Sequence, residues 1–262
     1  MSNSELLAFL YKYSERIIEL ARSMQGSCVR KVNKKKTNYR LVLSSIYFAR
    51  AFEIFESIIF LVRENRITDA GILLRSLTNL IINLRYIEKN KEERATLLLF
   101  DLATQHRKLY EKSKNFFDSI KKTQQVNRYI QFYKNEEQRL QRIIRRNYPN
   151  ATPWDRIRIS DKAAVHHDMQ YVYDLLYADL SRYEHNDFSA MRSYVNPDTM
   201  DPIITTGSRR HSPVLNPTNI LMITSIIFGI VIELFNDEFR LRWRERTIEL
   251  NQEVMRNTGV TA

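Results

Sequence analysis

Leu6, Leu10, Tyr13, Ile17, Leu20 and Met24 recur at steps of three and four, the spacing that gathers side chains on one face of an α-helix. This predicts an amphipathic helix ending near Gly26, since glycine commonly closes helices. The stretch Arg30 to Lys36 then carries basic residues without an acid and predicts a loop or a frayed helix start. From about Tyr39 to Glu64 the chain is apolar on nearly every side, the mark of an enclosed helix. A turn at Asn65 to Thr68 leads into a helix over Asp69 to Glu88. Its stripe of Ala70, Leu73, Leu74, Leu77, Leu80, Ile81, Leu84 and Ile87 predicts a tight hairpin with the helix before it.

Beyond this hairpin the pattern is more polar. Glu92 to about Phe117 reads as one helix. Residues 119–146 place Val126, Ile130, Tyr133, Leu140 and Ile144 near a heptad spacing broken by Glu137. They predict an exposed, charged helix that projects from the body or pairs with a second chain. A loop with Pro149 and Pro153 follows, then a helix opened by Ser160-Asp161 and running to about Arg192. Residues 193–216, with Pro197, Pro202, Pro213 and Gly207, predict a long connection that is functional or ordered by a partner. Asn216-Pro217 has the form of a cap with proline at the first helical position, opening a final helix to about Val254. The expected fold is all-α: a single multi-helix bundle of about seven helices around a central buried hairpin. It is expected to form one domain over residues 1–262, with its core at about 40–195.

Composition sharpens this picture. The chain has five glycines and six prolines, and every proline lies at or after Pro149. Strand-rich domains need frequent turns built from those residues, so their scarcity favours long helices. One cysteine, Cys28, excludes an internal disulfide framework and a multi-cysteine zinc site. No basic start precedes an apolar stretch at the amino terminus, and a cytoplasmic location is expected. The most apolar run, Ile220 to Ile232, falls short of the roughly 20 residues of a membrane span and reads as a core helix. The net charge of +11 favours an anionic partner: nucleic acid, a membrane surface or an acidic protein.

Candidate chemistry lies in polar groups on faces that should be buried. Arg75 sits among Leu73, Leu74 and Leu77, and an unpaired guanidinium there would cost several kcal/mol. It therefore needs an ion pair with Glu53 or Glu56, backbone carbonyls, or a bound anion. Asn79 and Asn83 follow at four-residue steps. A second grouping places Tyr173, Tyr177, Ser181 and His185 on one slowly rotating helical face, with Arg182 beside it. His185 is the candidate for proton transfer, because histidine titrates near neutral pH, and Ser181 for orienting it. Glu53, Asn79 and Tyr177 are expected to line the same pocket as Arg75.

His166 and His167 are adjacent and diverge on a helix, and His106 and His211 stand isolated. No Glu-x-x-His, P-loop, GxGxxG or HExxH occurs, so no metal or cofactor is expected. Basic stretches occur at Arg30 to Arg40, Arg139 to Arg158, Arg209-Arg210 and Arg240 to Arg246, and Tyr129, Tyr133, Tyr148, Trp154 and Trp243 lie in or near two of them, a combination suited to single-stranded nucleic acid. Within them Lys34, Lys35, Lys36, Arg142, Arg145 and Arg146 are the expected binding residues.

Two passages resemble the bacterial helical family DUF5677, whose function is unassigned. They are Asp69-Ala70-Gly71-Ile72-Leu73-Leu74-Arg75-Ser76-Leu77, followed by Leu84-Arg85-Tyr86-Ile87, and Tyr177-Ala178-Asp179-Leu180-Ser181-Arg182-Tyr183-Glu184-His185. The resemblance spans roughly residues 40–195 and implies the helical architecture and a pocket at Arg75, Ser181 and His185. A looser likeness is to the HEPN superfamily of helical bundles, many of them ribonucleases of toxin and phage-defence systems. Its usual Arg-x4–6-His motif has no counterpart at any of the five histidines.

Together these readings predict an RNA-directed helical protein acting as a metal-independent endoribonuclease. His185 would move the proton of a ribose 2′-hydroxyl, Arg75 or Arg182 would neutralise phosphate charge, and Ser181 would orient the histidine. The alternative is a non-catalytic basic module that binds nucleic acid or an acidic protein. A homodimer is expected from the apolar surplus and the long exposed helix.

Overall fold

A computed structural model of the chain describes residues 2–34, 39–177, 180–181 and 216–258. Among these residues every regular element is helical, as the patterning predicts. The α-helices in chain order are α1 (Asn3–Lys34), α2 (Tyr39–Arg63), α3 (Ile67–Lys89), α4 (Lys91–Lys112) and α5 (Lys114–Ser119). There follow α6 (Thr123–Asn147), α7 (Ile159–Ala163), α8 (His167–Val172), α9 (Pro217–Phe239) and α10 (Arg244–Thr258).

The α2–α3 hairpin forms as expected. Asn65 adopts a left-handed conformation at φ 56°, which asparagine tolerates better than most residues, and the Arg66 N–H donates to the Leu61 carbonyl. The hairpin shares the centre with α9, which packs against α1, α2, α3 and α10. Phe55 stacks on Phe228 with ring centroids 4.2 Å apart, and Phe48 meets Phe235 at 4.5 Å. Helix α9 has 23 residues, longer than the apolar run that marks it in the sequence, so by length and composition alone it could cross a membrane. In the fold it lies against the other core helices, with 56% of its most apolar window buried.

Several boundaries differ from those predicted, each for a packing reason. Helix α1 continues through Gly26 to Lys34, because Cys28 extends the buried stripe one turn beyond Met24. The basic stretch after Arg30 is thus helical as far as Lys34, while Lys35 and Lys36 lie outside the described residues. The segment 92–117 breaks at Ser113 into α4 and α5. The expected helix at 119–146 begins at Thr123, and it does not project alone. It folds back antiparallel on α4, burying Val126 and Leu140, after a turn in which Lys121 takes φ 58°. The segment expected as one helix from Ser160 is divided into α7, α8 and a π-helical turn at Tyr173–Tyr177; Ser160 lies inside α7, whose cap is Arg158. The connection expected at 193–216 lies, except for Asn216, outside the described residues.

At the start of α9, the Asn216 Oδ1 accepts the Asn219 N–H at 2.8 Å beside Pro217, as the cap pattern predicts. The expected single helix to Val254 instead stops at Arg240, which is left-handed at φ 47°; the Leu241 N–H donates back to the Asn236 carbonyl in a Schellman closure. Helix α10 then returns over α9 and α1. Gly229 permits this close approach, since a Cβ there would collide with the side-chain amide of Asn251. That amide donates to Glu233 at 2.5 Å, and Arg16 forks onto Glu253 with both contacts under 3 Å.

Candidate nucleic-acid interface

Arg75 is 9% exposed on α3 and turns toward the π-helical turn. Its Nη2 donates to the Tyr177 hydroxyl at 3.1 Å, and the guanidinium carbon lies 4.9 Å from the centroid of the same ring. Tyr177 in turn stacks on Tyr173 at 4.8 Å. The Ser181 hydroxyl donates to the Tyr177 carbonyl at 2.6 Å, one turn back. The structure therefore joins Arg75 to the Tyr177 ring and hydroxyl, while Ser181 meets the Tyr177 main chain. Arg182 and His185 lie outside the described residues.

The expected acidic neighbours of Arg75 stand elsewhere. Glu53 faces solvent and meets Arg50 at 3.3 Å, and Glu56 meets Arg22 at 2.7 Å. Successive positions of α2 turn these carboxylates outward while Ile54, Phe55 and Ile58 face α3 and α9. Glu53 is thus removed from the predicted pocket, and Asn79 is separated from Tyr177. Asn79 instead lines a different cavity.

That cavity is a cleft of about 680 Å³ between α2, α3, α4 and α6. Ile46, Leu80, Leu99, Leu102 and Leu140 make its apolar walls; Asn79, Asn83 and Ser76 enter from α3, and Arg50, His106, Tyr133 and Arg139 from the other helices. His106, isolated in the sequence, stacks on Tyr133 at 5.0 Å. The stack continues along the α4–α6 seam, with Tyr110 at 5.9 Å from Tyr133 and 5.1 Å from Tyr129. Helical periodicity within α4 or α6 alone cannot show this ladder, because its rungs alternate between two helices.

The outer face of α6 is basic. Arg128, Phe132, Arg139, Arg142 and Arg146 fall at steps of three, four and seven, within one stripe about 27 Å long at 1.5 Å per residue. Arg139 is paired with Glu136 at 2.7 Å. Arg128, Arg142, Arg145 and Arg146 are exposed and have no acidic partner among the described residues. Arg145 lies about a quarter turn from the stripe. Phe132 is 57% exposed within it. Where the stripe begins, Lys121, Lys122, Arg128 and Tyr129 border an open hollow of about 560 Å³. The seam beneath is held by Glu137, which accepts Arg107 Nε at 2.6 Å and the Thr104 hydroxyl at 3.0 Å. These bonds, Arg107's first, hold the Glu137 carboxyl below its usual range against the opposing effect of burial.

At the base of the hairpin, cations and rings alternate. Arg94 lies over Tyr86 at 3.7 Å, Tyr86 meets Trp154 edge-on at 5.6 Å, and the Lys162 ammonium sits 3.8 Å over Trp154. Burial pushes the Lys162 amine down to about 8, with Asp101 opposing. A lysine with a lowered folded pKa is penalised when charged. Between about pH 8 and 10.5 the unfolded chain holds more of this proton, so the stability contribution rises with pH through that window. Lys162→Met is therefore expected to raise unfolding free energy at about pH 7 and to lose much of that gain near pH 10. Denaturant melts of both proteins at the two pH values measure the gap; a gap that widens with pH would contradict this account.

Among the described residues, no group of three or more His, Cys, Asp or Glu side chains is arranged to hold a metal ion. Compared with known proteins, the chain matches the model of a family of unknown function, DUF5677, over residues 41–202. That match runs from the start of α2 past the π-helical turn and covers more than half of the chain. No curated protein and no solved structure matches the chain.

Proposed function

The chain belongs to the DUF5677 family, and we propose that it binds single-stranded nucleic acid, RNA in preference, along the outer face of α6. The observation that carries this reading is the coincidence of an arginine stripe, in which Arg128, Arg142 and Arg146 meet no acid among the described residues, with exposed rings on one helical hairpin. Phosphate attraction and base stacking together bind a single strand without requiring sequence readout. Residues 105–148 hold twelve Lys and Arg against four Asp and Glu, so this region supplies much of the protein's positive charge. A continuous stripe of about 27 Å suits an extended strand better than a compact anion.

Metal-independent cleavage of the bound strand is the second reading, and the bond from Arg75 to Tyr177, one turn before Ser181, favours it. In that reading Arg75 neutralises charge on a phosphate and His185 moves the 2′-hydroxyl proton.

The test is anisotropy of a labelled single-stranded RNA of about ten nucleotides, titrated with protein at several salt concentrations in EDTA. Binding is expected to weaken steeply between about 50 and 200 mM salt. Gel analysis of the same samples reports cleavage, whose expected product carries a cyclic phosphate. Salt-independent affinity, or none, defeats the binding reading; intact RNA after long incubation defeats the catalytic one.

A further inference from the structure

The cleft between α2, α3, α4 and α6 opens beside the arginine stripe, and Phe132 and Arg139 belong to both. Its volume of about 680 Å³ lies in the range of small-molecule sites. Its walls are apolar, yet two side-chain amides enter from α3. The Oδ1 atoms of Asn79 and Asn83 are shielded from solvent and accept no hydrogen bond among the described residues. An amide offers a donor and an acceptor side by side, and rotation about its terminal bond presents either end to the cleft.

Two such groups on an apolar wall, beside the exposed ring of Phe132, match the chemistry of one flat heterocycle with a polar edge. Every nucleobase has that shape, with adjacent donor and acceptor atoms on its pairing edge and two faces that stack. Proteins read unpaired RNA in this way, by splaying a base out, stacking it and bonding its edge. An apolar ligand would leave the amides unmatched, and a peptide helix would not use the ring faces.

We infer that the cleft takes one unstacked nucleobase from a strand lying along α6, with Asn79 and Asn83 bonding the base edge and Phe132 stacking its face. This rests on the proposed binding of single-stranded RNA and adds to it a site for the base itself. The phosphates flanking the base then fall near Arg142 and Arg146, on the stripe outside the cleft.

Asn79→Leu with Asn83→Leu tests the inference in the full-length chain. Leucine keeps the volume and removes two oxygens that accept nothing, so the thermal midpoint is expected to hold or rise. The probes are labelled oligoribonucleotides of about ten units and an abasic ribose-phosphate strand of the same length. The unsubstituted protein is expected to bind base-bearing RNA at least about tenfold more tightly than the abasic strand. The double variant is expected to narrow that difference severalfold while keeping the same salt dependence, the remainder coming from stacking on exposed rings. A difference undiminished in the double variant overturns the base site and leaves RNA binding along α6 standing; equal affinity of the unsubstituted protein for both strands overturns the base site and leaves phosphate attraction alone along α6. If neither strand binds, both the base site and the binding reading fall.

Discussion

Replacing Arg128, Arg142 and Arg146 together by Glu is expected to lower affinity for single-stranded RNA about 100-fold at moderate salt. Each of these guanidiniums is exposed on the outer stripe of α6 without an acidic partner among the described residues. None therefore has an ion pair among the described residues to give up on meeting a phosphate. A single-strand contact contributes about 0.7 to the slope of log affinity against log salt. Losing three contacts is expected to reduce that slope by about 2. Arg145 provides the control, because it sits off the stripe: Arg145→Glu alone is expected to change affinity by no more than about threefold. An equal loss from Arg145→Glu and from Arg142→Glu alone would point to general charge rather than the stripe. The stability of the triple variant is expected to stay close to that of the parent, since exposed substitutions shift it by about 0.5 kcal/mol or less each.

Phe228→Ala is the substitution expected to damage the fold most. The ring is fully buried on α9 and stacks on Phe55 at 4.2 Å and on Phe52 at 6.2 Å, so it joins the two central helices. Truncation removes buried apolar area and leaves a cavity that long, regular helices cannot collapse to fill. The cost is about 3–5 kcal/mol, a large part of the 5–15 kcal/mol typical of a folded domain. Chemical denaturation would show it as a lower midpoint with an unchanged slope. Phe132→Ala, at 57% exposure, is expected to cost about 0.5 kcal/mol or less. A loss under 1 kcal/mol for Phe228→Ala would remove α9 from the role of central core helix.

The candidate site was harder to read than the helices. Periodicity located Arg75, Tyr177 and Ser181 on their helices, and the structure joins Arg75 to Tyr177 across them. It could not orient Glu53, because a carboxylate on an all-apolar helix looks equally well placed to pair inward or to face solvent. Arg50, three residues before it, was the available signal for the outward choice, since oppositely charged residues at that spacing attract one another on a helix surface. His106 and the Tyr110–Tyr129–Tyr133 ladder had no sequence signature, because their rings meet across two chain segments about twenty to thirty residues apart. Glu238 is a similar case: it gathers Arg40 at 2.5 Å and Lys91 at 3.2 Å from two other helices.

The sequence by itself determined that this chain is helical, where its hairpin lies, where its last core helix begins and how Asn216 and Pro217 open it, and that its exposed faces are basic. These follow from interactions between residues a turn or less apart, which a linear pattern records directly. Only the tertiary structure decided that α1 runs past Gly26, that α6 lies back on α4, and that a cleft with Asn79 and Asn83 opens between them. Those features depend on which faces meet. Helices that are apolar on several sides leave many pairings open, and it is the total burial across all of them that selects one.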